Sequence, residues 1–481
     1  MQVTESIIIG IFLIVMIVMG FYFSKRALKS EDDYWTAGRN INSFVGAIAL
    51  FAALTSASSL MGAVGSGVEM GLPFLFVYGF GVTCTLPFTL FLVSGQIRRS
   101  GVRTVPEFFL KRYGMSVSIL AALIVVIGMT FYMVPQLTAS GLIGSYVLGI
   151  DYATAVIVLG LGFTIYAALG GMWAITYTDL IQGMIILVGL AILAIVILFE
   201  HDGIGNLLSA ALAVDPEFGE VTQPWLSYFG LFIAFLWFGV VSPSAVMRNF
   251  ASKDARTARR SAMGACFLYA SVFVFGFVIA SAGANLDMIG SLDNSDMIFI
   301  SVVEYYLPPI LAGIMFAALI SAIMSSADAM LLAISAGVAQ DIYKGLLIKK
   351  PERKPVTRLG LVVMFVASII GIVIALDPPQ LIAIMVGWVG GGLLSAFGFP
   401  IVLGIWWKRA NKAGALAGML SGSITFLALV ITQPFALVAE PIIAAPVSLV
   451  FMVVVSLLTE PPSKEIQQEV ERNHTNVKDV L

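Results

Sequence analysis

Hydrophobic positions in this chain come as long unbroken runs, with neither the one-sided stripe of a surface helix nor the alternation of a strand, and polar positions gather in short segments between them. With about 20 apolar residues as the measure of one membrane crossing, the pattern predicts thirteen helical spans. They lie near 5–24, 44–68, 72–95, 116–148, 152–172, 177–199, 223–247, 261–284, 305–342, 359–376, 380–406, 413–433 and 438–459. The runs 116–148 and 305–342 exceed one crossing, which predicts tilt or an extension beyond the bilayer. The first run opens MQVTES, with no basic stretch before it, and is followed by Ser24, Lys25 and Arg26. It reads as an uncleaved span with its N-terminus outside.

Composition and charge sharpen this picture. Of 481 residues, 59% are hydrophobic and 11% charged, a balance of membrane-embedded chains that no soluble core could bury. Cys84 and Cys266 sit inside apolar runs and read as small hydrophobes, with no disulfide or metal spacing. With the N-terminus outside, all 26 Lys and Arg fall on the cytoplasmic side, in loops around 25–39, 98–112, 248–260, 344–358 and 408–412 and in the tail. Only thirteen crossings keep them there, which predicts an all-α, multi-pass protein of the cell membrane with its N-terminus out and C-terminus in.

The spans divide into an extra helix and loop at 1–43, five spans at 44–199, an outer loop at 200–222, five spans at 223–406, two at 407–459 and a tail at 460–481. An odd number of spans in each half places the halves in opposite orientation, the condition for a 5+5 inverted repeat. The first span of each half is interrupted, by FAALTSASSLMGAVGSG at Phe51 to Gly67 and by GVVSPSAV at Gly239 to Val246, where Pro243 removes a backbone donor. Broken helices at matching places offer free carbonyls to a cation and helix N-termini to an anion. Small residues also permit close helix packing; the matched pair favours the binding site.

These stretches, with GGMWAITYTDLIQG at Gly170, SPSAVMRNFASKDARTARR at Ser242 and ISAIMSSADAMLLAISAGVAQDIYK at Ile320, resemble the sodium:solute symporter family from the first span to about Lys412. The resemblance implies a ten-helix core of the leucine-transporter type and sodium-driven uptake by alternating access. Solutes in the family include proline, pantothenate, acetate and other monocarboxylates, sugars and sialic acid. It further implies a sodium ion held by the carbonyls of Ala52, Thr55 and Ala322 and the hydroxyls of Ser325 and Ser326. All are the oxygen donors a hard cation takes. Alone, the two serines read equally as hydroxyls bonded back to their own helix.

Two carboxylates stand in or beside apolar runs. Asp179 matches an aspartate that the family uses in sodium coupling, and reads equally as an N-cap or first-turn acid. Asp328 lies one helical turn past Ser325, where family members with a second sodium carry serine, and no Lys or Arg falls within any predicted span to neutralise it. A second cation site and a proton site both stay open. For the solute, the resemblance implies Ser56, Ser58, Tyr132, Gln136, Phe235, Trp237 and Gly239. Ser58 and Gly239 replace large aromatics of the proline carriers, which argues against proline. Tyr132 and Gln136 share a helix face and serve equally as interhelical hydrogen-bonding groups.

With His201 and His474 as the two histidines, neither in an apolar run, the sequence offers no catalytic set. A carrier is therefore favoured over an enzyme or a channel. Its implied partners are sodium as coupling ion, one small organic solute and the lipid bilayer, with no other cofactor, no nucleic acid and no obligate protein. A proton-coupled carrier of the same fold is the alternative.

Overall fold

The computed structural model describes residues 2–27, 31–102, 104–286, 292, 294–339, 353–434 and 436–475. The basic loop expected around Lys344 to Lys350 lies outside them. Among the described residues the chain is helical throughout, with an isolated backbone bridge between Ile41 and Ser252 in place of any sheet. The principal helices are α1 (Gln2–Ala27), α2 (Ser43–Leu54), α3 (Ala63–Met70), α4 (Leu72–Thr89), α5 (Met115–Leu148), α6 (Tyr152–Glu200), α7 (Trp225–Val241) and α8 (Pro243–Ala251). They continue as α9 (Ala255–Asn285), α10 (Pro309–Ala336), α11 (Arg353–Ala375), α12 (Ile382–Leu393), α13 (Phe399–Trp406), α14 (Lys412–Thr432) and α15 (Glu440–Leu458).

Among the described residues eleven helices are long and apolar enough to cross a membrane, or twelve when the bent pair Ser43–Leu54 and Ser58–Met70 counts as one span. The remaining predicted segment is Tyr152–Ala168, a shorter apolar helix. It is continuous with the next span except at Gly171, whose φ of 54° and ψ of −166° break α6. A β-carbon there would lie 2.8 Å from the Tyr34 ring, so only glycine fits. The run expected at 305–342 is corrected at its start. A separate short helix, Ile298–Tyr306, ends with Leu307 as its C-cap, Pro308 is the N-cap of α10, and α10 begins at Pro309, where a missing N–H costs nothing.

Burial sorts the helices. Within the most apolar stretch of α10, 83% of residues are buried, against 22% for α1, so α10 runs through the centre and α1 lies at the rim with Ile7, Ile11, Ile14 and Val18 facing outward. Both predicted interruptions are present. Thr55 leaves helical geometry at φ −80°, ψ 98°, a π-turn follows at Ser58–Gly62, and the two halves meet at 63°. Ser242, at φ −75°, ψ 115°, separates α7 from α8. The break thus falls at the residue before a proline, where the α conformation is disfavoured.

Glycines let helices approach where side chains would not fit. A β-carbon on Gly422 of α14 would overlap the Ser395 carbonyl at 1.9 Å, whereas one on Gly162 of α6 meets nothing within 4 Å. Gly422→Ala is expected to cost about 1–3 kcal/mol by forcing α14 off its neighbour. Gly162→Ala is expected to add up to about 1 kcal/mol through helix propensity. Thermal unfolding in detergent checks the order; equal midpoints would show that α14 is free to shift.

Candidate functional site

The site begins with backbone bookkeeping at the first break. In an uninterrupted helix the N–H groups of residues 56, 57 and 58 would donate to the carbonyls of 52, 53 and 54. Here all three go to side chains. Ser56 N–H donates to Ser59 Oγ (3.2 Å), Ala57 N–H to Gln136 Oε1 of α5 (3.1 Å) and Ser58 N–H to Ser56 Oγ (3.2 Å). Each of the three released carbonyls meets a serine hydroxyl. Ser325 Oγ donates to Ala52 (2.8 Å), Ser326 Oγ to Ala53 (3.2 Å) and Ser59 Oγ lies 3.3 Å from Leu54 O. Ser59 N–H turns to Ser56 O, so the Thr55 carbonyl loses its helical donor as well.

Of the residues expected around sodium, Ala52, Ala322, Ser325 and Ser326 come together, since Ser325 Oγ also lies 3.2 Å from Ala322 O. The partner of Ser326 is Ala53, which the sequence reading did not include. The Thr55 hydroxyl is turned back onto Phe51 O at 2.9 Å. A serine hydroxyl donates one proton and keeps its lone pairs. The cluster therefore offers neutral oxygens from α2 and α10 of the kind that hold a hard cation.

A second group of hydroxyls props the break from outside. Tyr78 OH of α4 donates to Ser59 Oγ at 3.1 Å, and Tyr269 OH of α9 lies 2.5 Å from the same oxygen, all buried. Tyr132 is buried beside the Ser56 hydroxyl, with its ring edge-on to Phe238 at 5.1 Å. Phe235 meets Tyr78 at 4.7 Å. Two buried polar groups here lack hydrogen-bond partners, Ser58 Oγ and Gln136 Nε2. Because Gln136 Oε1 accepts from Ala57, its amide nitrogen is fixed as a donor, on the same side as the N-terminus of the second half-helix.

Ser56, Ser58, Tyr132, Gln136 and Phe235 thus share one neighbourhood; Trp237 and Gly239 do not join it. Trp237 packs between Phe88 and Phe399 at 5.0 and 5.5 Å. Gly239 faces α4, its N–H donating to Thr85 Oγ1 at 2.8 Å, and a β-carbon there would lie 2.5 Å from Thr89 Oγ1. The missing aromatic at 239 therefore reports helix packing and carries no argument against proline. Ser59, Tyr78, Tyr269 and Phe238 escaped the sequence reading. The two tyrosines are phenols in apolar runs, whereas Tyr132 was named by the family resemblance and by the helix face it shares with Gln136.

Charge enters one step further inward. Asp179 lies well inside the second half of α6 and is fully buried, so it is neither an N-cap nor a first-turn acid. Arg248 Nη2 donates to its Oδ2 at 2.5 Å, with the guanidinium-bearing side chain 8% exposed. This corrects the expectation that no Lys or Arg within a span stands near Asp328, since Arg248 lies within electrostatic reach of it. Arg248 was assigned to a loop, but it is the last residue of the span Trp225–Arg248, and its guanidinium reaches Asp179. Asp328, fully buried on α10, lies within electrostatic reach of Asp179 and Arg248, and neither of its oxygens has a hydrogen-bond partner. Gln182, one turn past Asp179, is buried with both ends of its amide unpaired. No group of three or more His, Cys, Asp and Glu suited to a metal ion occurs among the described residues.

The chain matches the model of the sodium:solute symporter family over residues 34–422. It is 29% identical to the osmoregulated proline transporter OpuE of Bacillus subtilis over 480 residues, covering 96% of each chain. It is 26% identical to the sodium/proline symporter of Escherichia coli, over 86% of this chain and 85% of that one. Among solved structures, a Na+-coupled sialic acid symporter in a substrate-bound outward-open state aligns with a TM-score of 0.80 at 22% identity, covering 96% of this chain and 99% of that one. MhsT in complex with L-phenylalanine aligns at 0.55 and 15% identity, over 87% and 99%. Matched in sequence over most of its length and in fold over nearly all of it, the chain belongs to the sodium:solute symporter family and is a multi-pass transporter of the cell membrane.

Proposed function

We propose that this protein is a sodium-driven symporter that brings one small organic solute with a carboxylate group into the cell by alternating access. The observation that carries the reading is the set of carbonyls at Ala52 and Ala53, released by the helix break and faced by Ser325 and Ser326 of α10. Sodium would take those oxygens with the Ala322 and Thr55 carbonyls. Thirteen crossings, N-terminus out and C-terminus in, with inverted halves at 44–199 and 223–406, complete the proposal. It is supported by the placement of Lys and Arg and by the matched breaks at Thr55 and Ser242.

For the solute, the unpaired donors Gln136 Nε2 and Ser58 Oγ beside a helix N-terminus favour a carboxylate. The apolar remainder would lie against Tyr132, Phe235 and Phe238. Proline is the solute named for several relatives, and an amino acid of that size suits this neighbourhood; acetate or pantothenate would use the same donors. Asp179 and Asp328 are the proposed second cation site.

Uptake of labelled amino acids and monocarboxylates into proteoliposomes, with and without an inward sodium gradient, tests the reading. Accumulation is expected with sodium; equal accumulation driven by protons alone would overturn it. Replacing Ser325 and Ser326 with Ala is expected to raise the sodium concentration for half-maximal uptake about tenfold or more, as two ligands are lost. An unchanged sodium dependence would place the ion elsewhere. Gln136→Leu removes the carboxylate donor and the acceptor for Ala57 together, so the solute half-saturation constant should rise by about ten- to a hundredfold. An unchanged constant would remove Gln136 from the solute site.

A further inference from the structure

The charges around Asp179 do not balance. Two carboxylates, Asp179 and Asp328, face one guanidinium, Arg248, which stays protonated in any protein environment. The formal sum is −1 in a place with no water-exposed carboxylate. Around them, Asp179 Oδ1, both oxygens of Asp328 and both ends of Gln182 lack hydrogen-bond partners. Tyr166, a buried phenol within electrostatic reach of both carboxylates, gives its proton to Thr178 Oγ1 at 2.5 Å and so leaves them unrelieved. A buried uncompensated charge is costly.

The mechanical setting is equally specific. Helix α8 is a nine-residue segment cut from α7 at Ser242. Its far end is tied to the start of α2 by backbone bonds, Ile41 N to Ala251 O at 3.3 Å and Lys253 N to Ile41 O at 3.2 Å. The half-helices α2 and α8 are therefore joined below the break. The Arg248–Asp179 bond is the charged link that crosses from this pair to α6.

We propose that Arg248 is a tethered counter-cation for the Asp179–Asp328 pair, displaced from Asp179 when a sodium ion enters between the carboxylates and restored when the ion leaves inward. This deepens the sodium-symport reading and rests on it. Residue 248 then sets the affinity of the inner cation site and latches α8 to α6 while that site is empty. Gln182, one turn from Asp179, supplies a carbonyl oxygen to the incoming ion and an amide to the vacated carboxylate.

The test counts charges. Sodium binding to the purified full-length protein in detergent is read from the sodium-induced rise in melting temperature, with choline as control, in the wild type (site charge −1), Arg248→Met (−2), Asp328→Asn (0) and the double variant (−1). A unit charge about 10 Å away at an effective dielectric of about 20 changes affinity on the order of tenfold. Arg248→Met should bind sodium about tenfold more tightly and Asp328→Asn about tenfold more weakly. The double variant should return to within about threefold of wild type, and Arg248→Lys should stay near it. Uptake by Arg248→Met should saturate at lower sodium but turn over more slowly. Equal or weaker binding in Arg248→Met, or a double variant as weak as Asp328→Asn, overturns the role of Arg248 while leaving the symport reading intact. A wild type without any sodium response overturns both. Where Arg248→Met fails to fold, Asp328→Asn decides: binding equal to wild type overturns the proposal.

Discussion

The structure turns on one constraint, that a backbone group in the middle of a membrane has no water to bond and must find a partner within the protein. At Ser56 to Ser58 the chain satisfies three N–H groups with side chains, and the price of that choice is three released carbonyls at Ala52, Ala53 and Leu54. Serine hydroxyls answer each of them. Breaking the helix and building an oxygen-lined site are thus a single event. It requires α10 to present adjacent serines at the right height, α5 to send Gln136 across, and α4 and α9 to steady Ser59 with tyrosines. Close packing follows from the same need. A β-carbon on Gly183 of α6 would lie 2.7 Å from Ile48, and one on Gly62 would lie 2.8 Å from the Ala383 nitrogen, so glycines let α6 and α12 close on the broken helix from two sides.

Much of this is legible in the sequence because membrane physics leaves strong marks. Long apolar runs forecast the helices, Gly, Ser and Pro within them forecast both breaks, and the family resemblance named Ser325, Ser326 and the Ala52 carbonyl, while the Ala53 carbonyl that Ser326 faces was not foreseen. What was hidden depends on direction. Gly239 and Trp237 lie in the right helix, but a helix spreads its residues around an axis, and these two turn toward α4 and α13. Arg248 was hidden for a related reason. Hydropathy assigns a cation at the end of an apolar run to a loop, whereas Arg248 ends the span Trp225–Arg248 and turns its guanidinium onto the buried Asp179. The boundary at Pro308 was missed because proline at the first turn of a helix is apolar enough to look like its continuation.

The neighbouring polar regions differ in the physics by which each would hold an ion. Around Ala52 and Ser325 every oxygen is neutral, so a cation there gains its energy from the number and fit of dipoles. Such a site is sensitive to geometry, and separating α2 from α10 by a fraction of an ångström weakens it. Around Asp179 and Asp328 the oxygens are formally charged, and the attraction persists over several ångströms in a weakly screening interior.

That difference bears on how an ion could drive movement. A site of neutral dipoles responds to closure and so reports whether the broken helix is seated on α10. A charged pair responds to the sum of charges within reach, and Arg248 is part of that sum only while α8 is held against α6. Binding energy shifts a conformational equilibrium only to the extent that an ion contacts its two states differently. The neutral oxygens straddle the contact of α2 with α10 and the charged groups straddle the contact of α8 with α6. The half-helices are joined to each other through Ile41, so a change at either contact is felt at both.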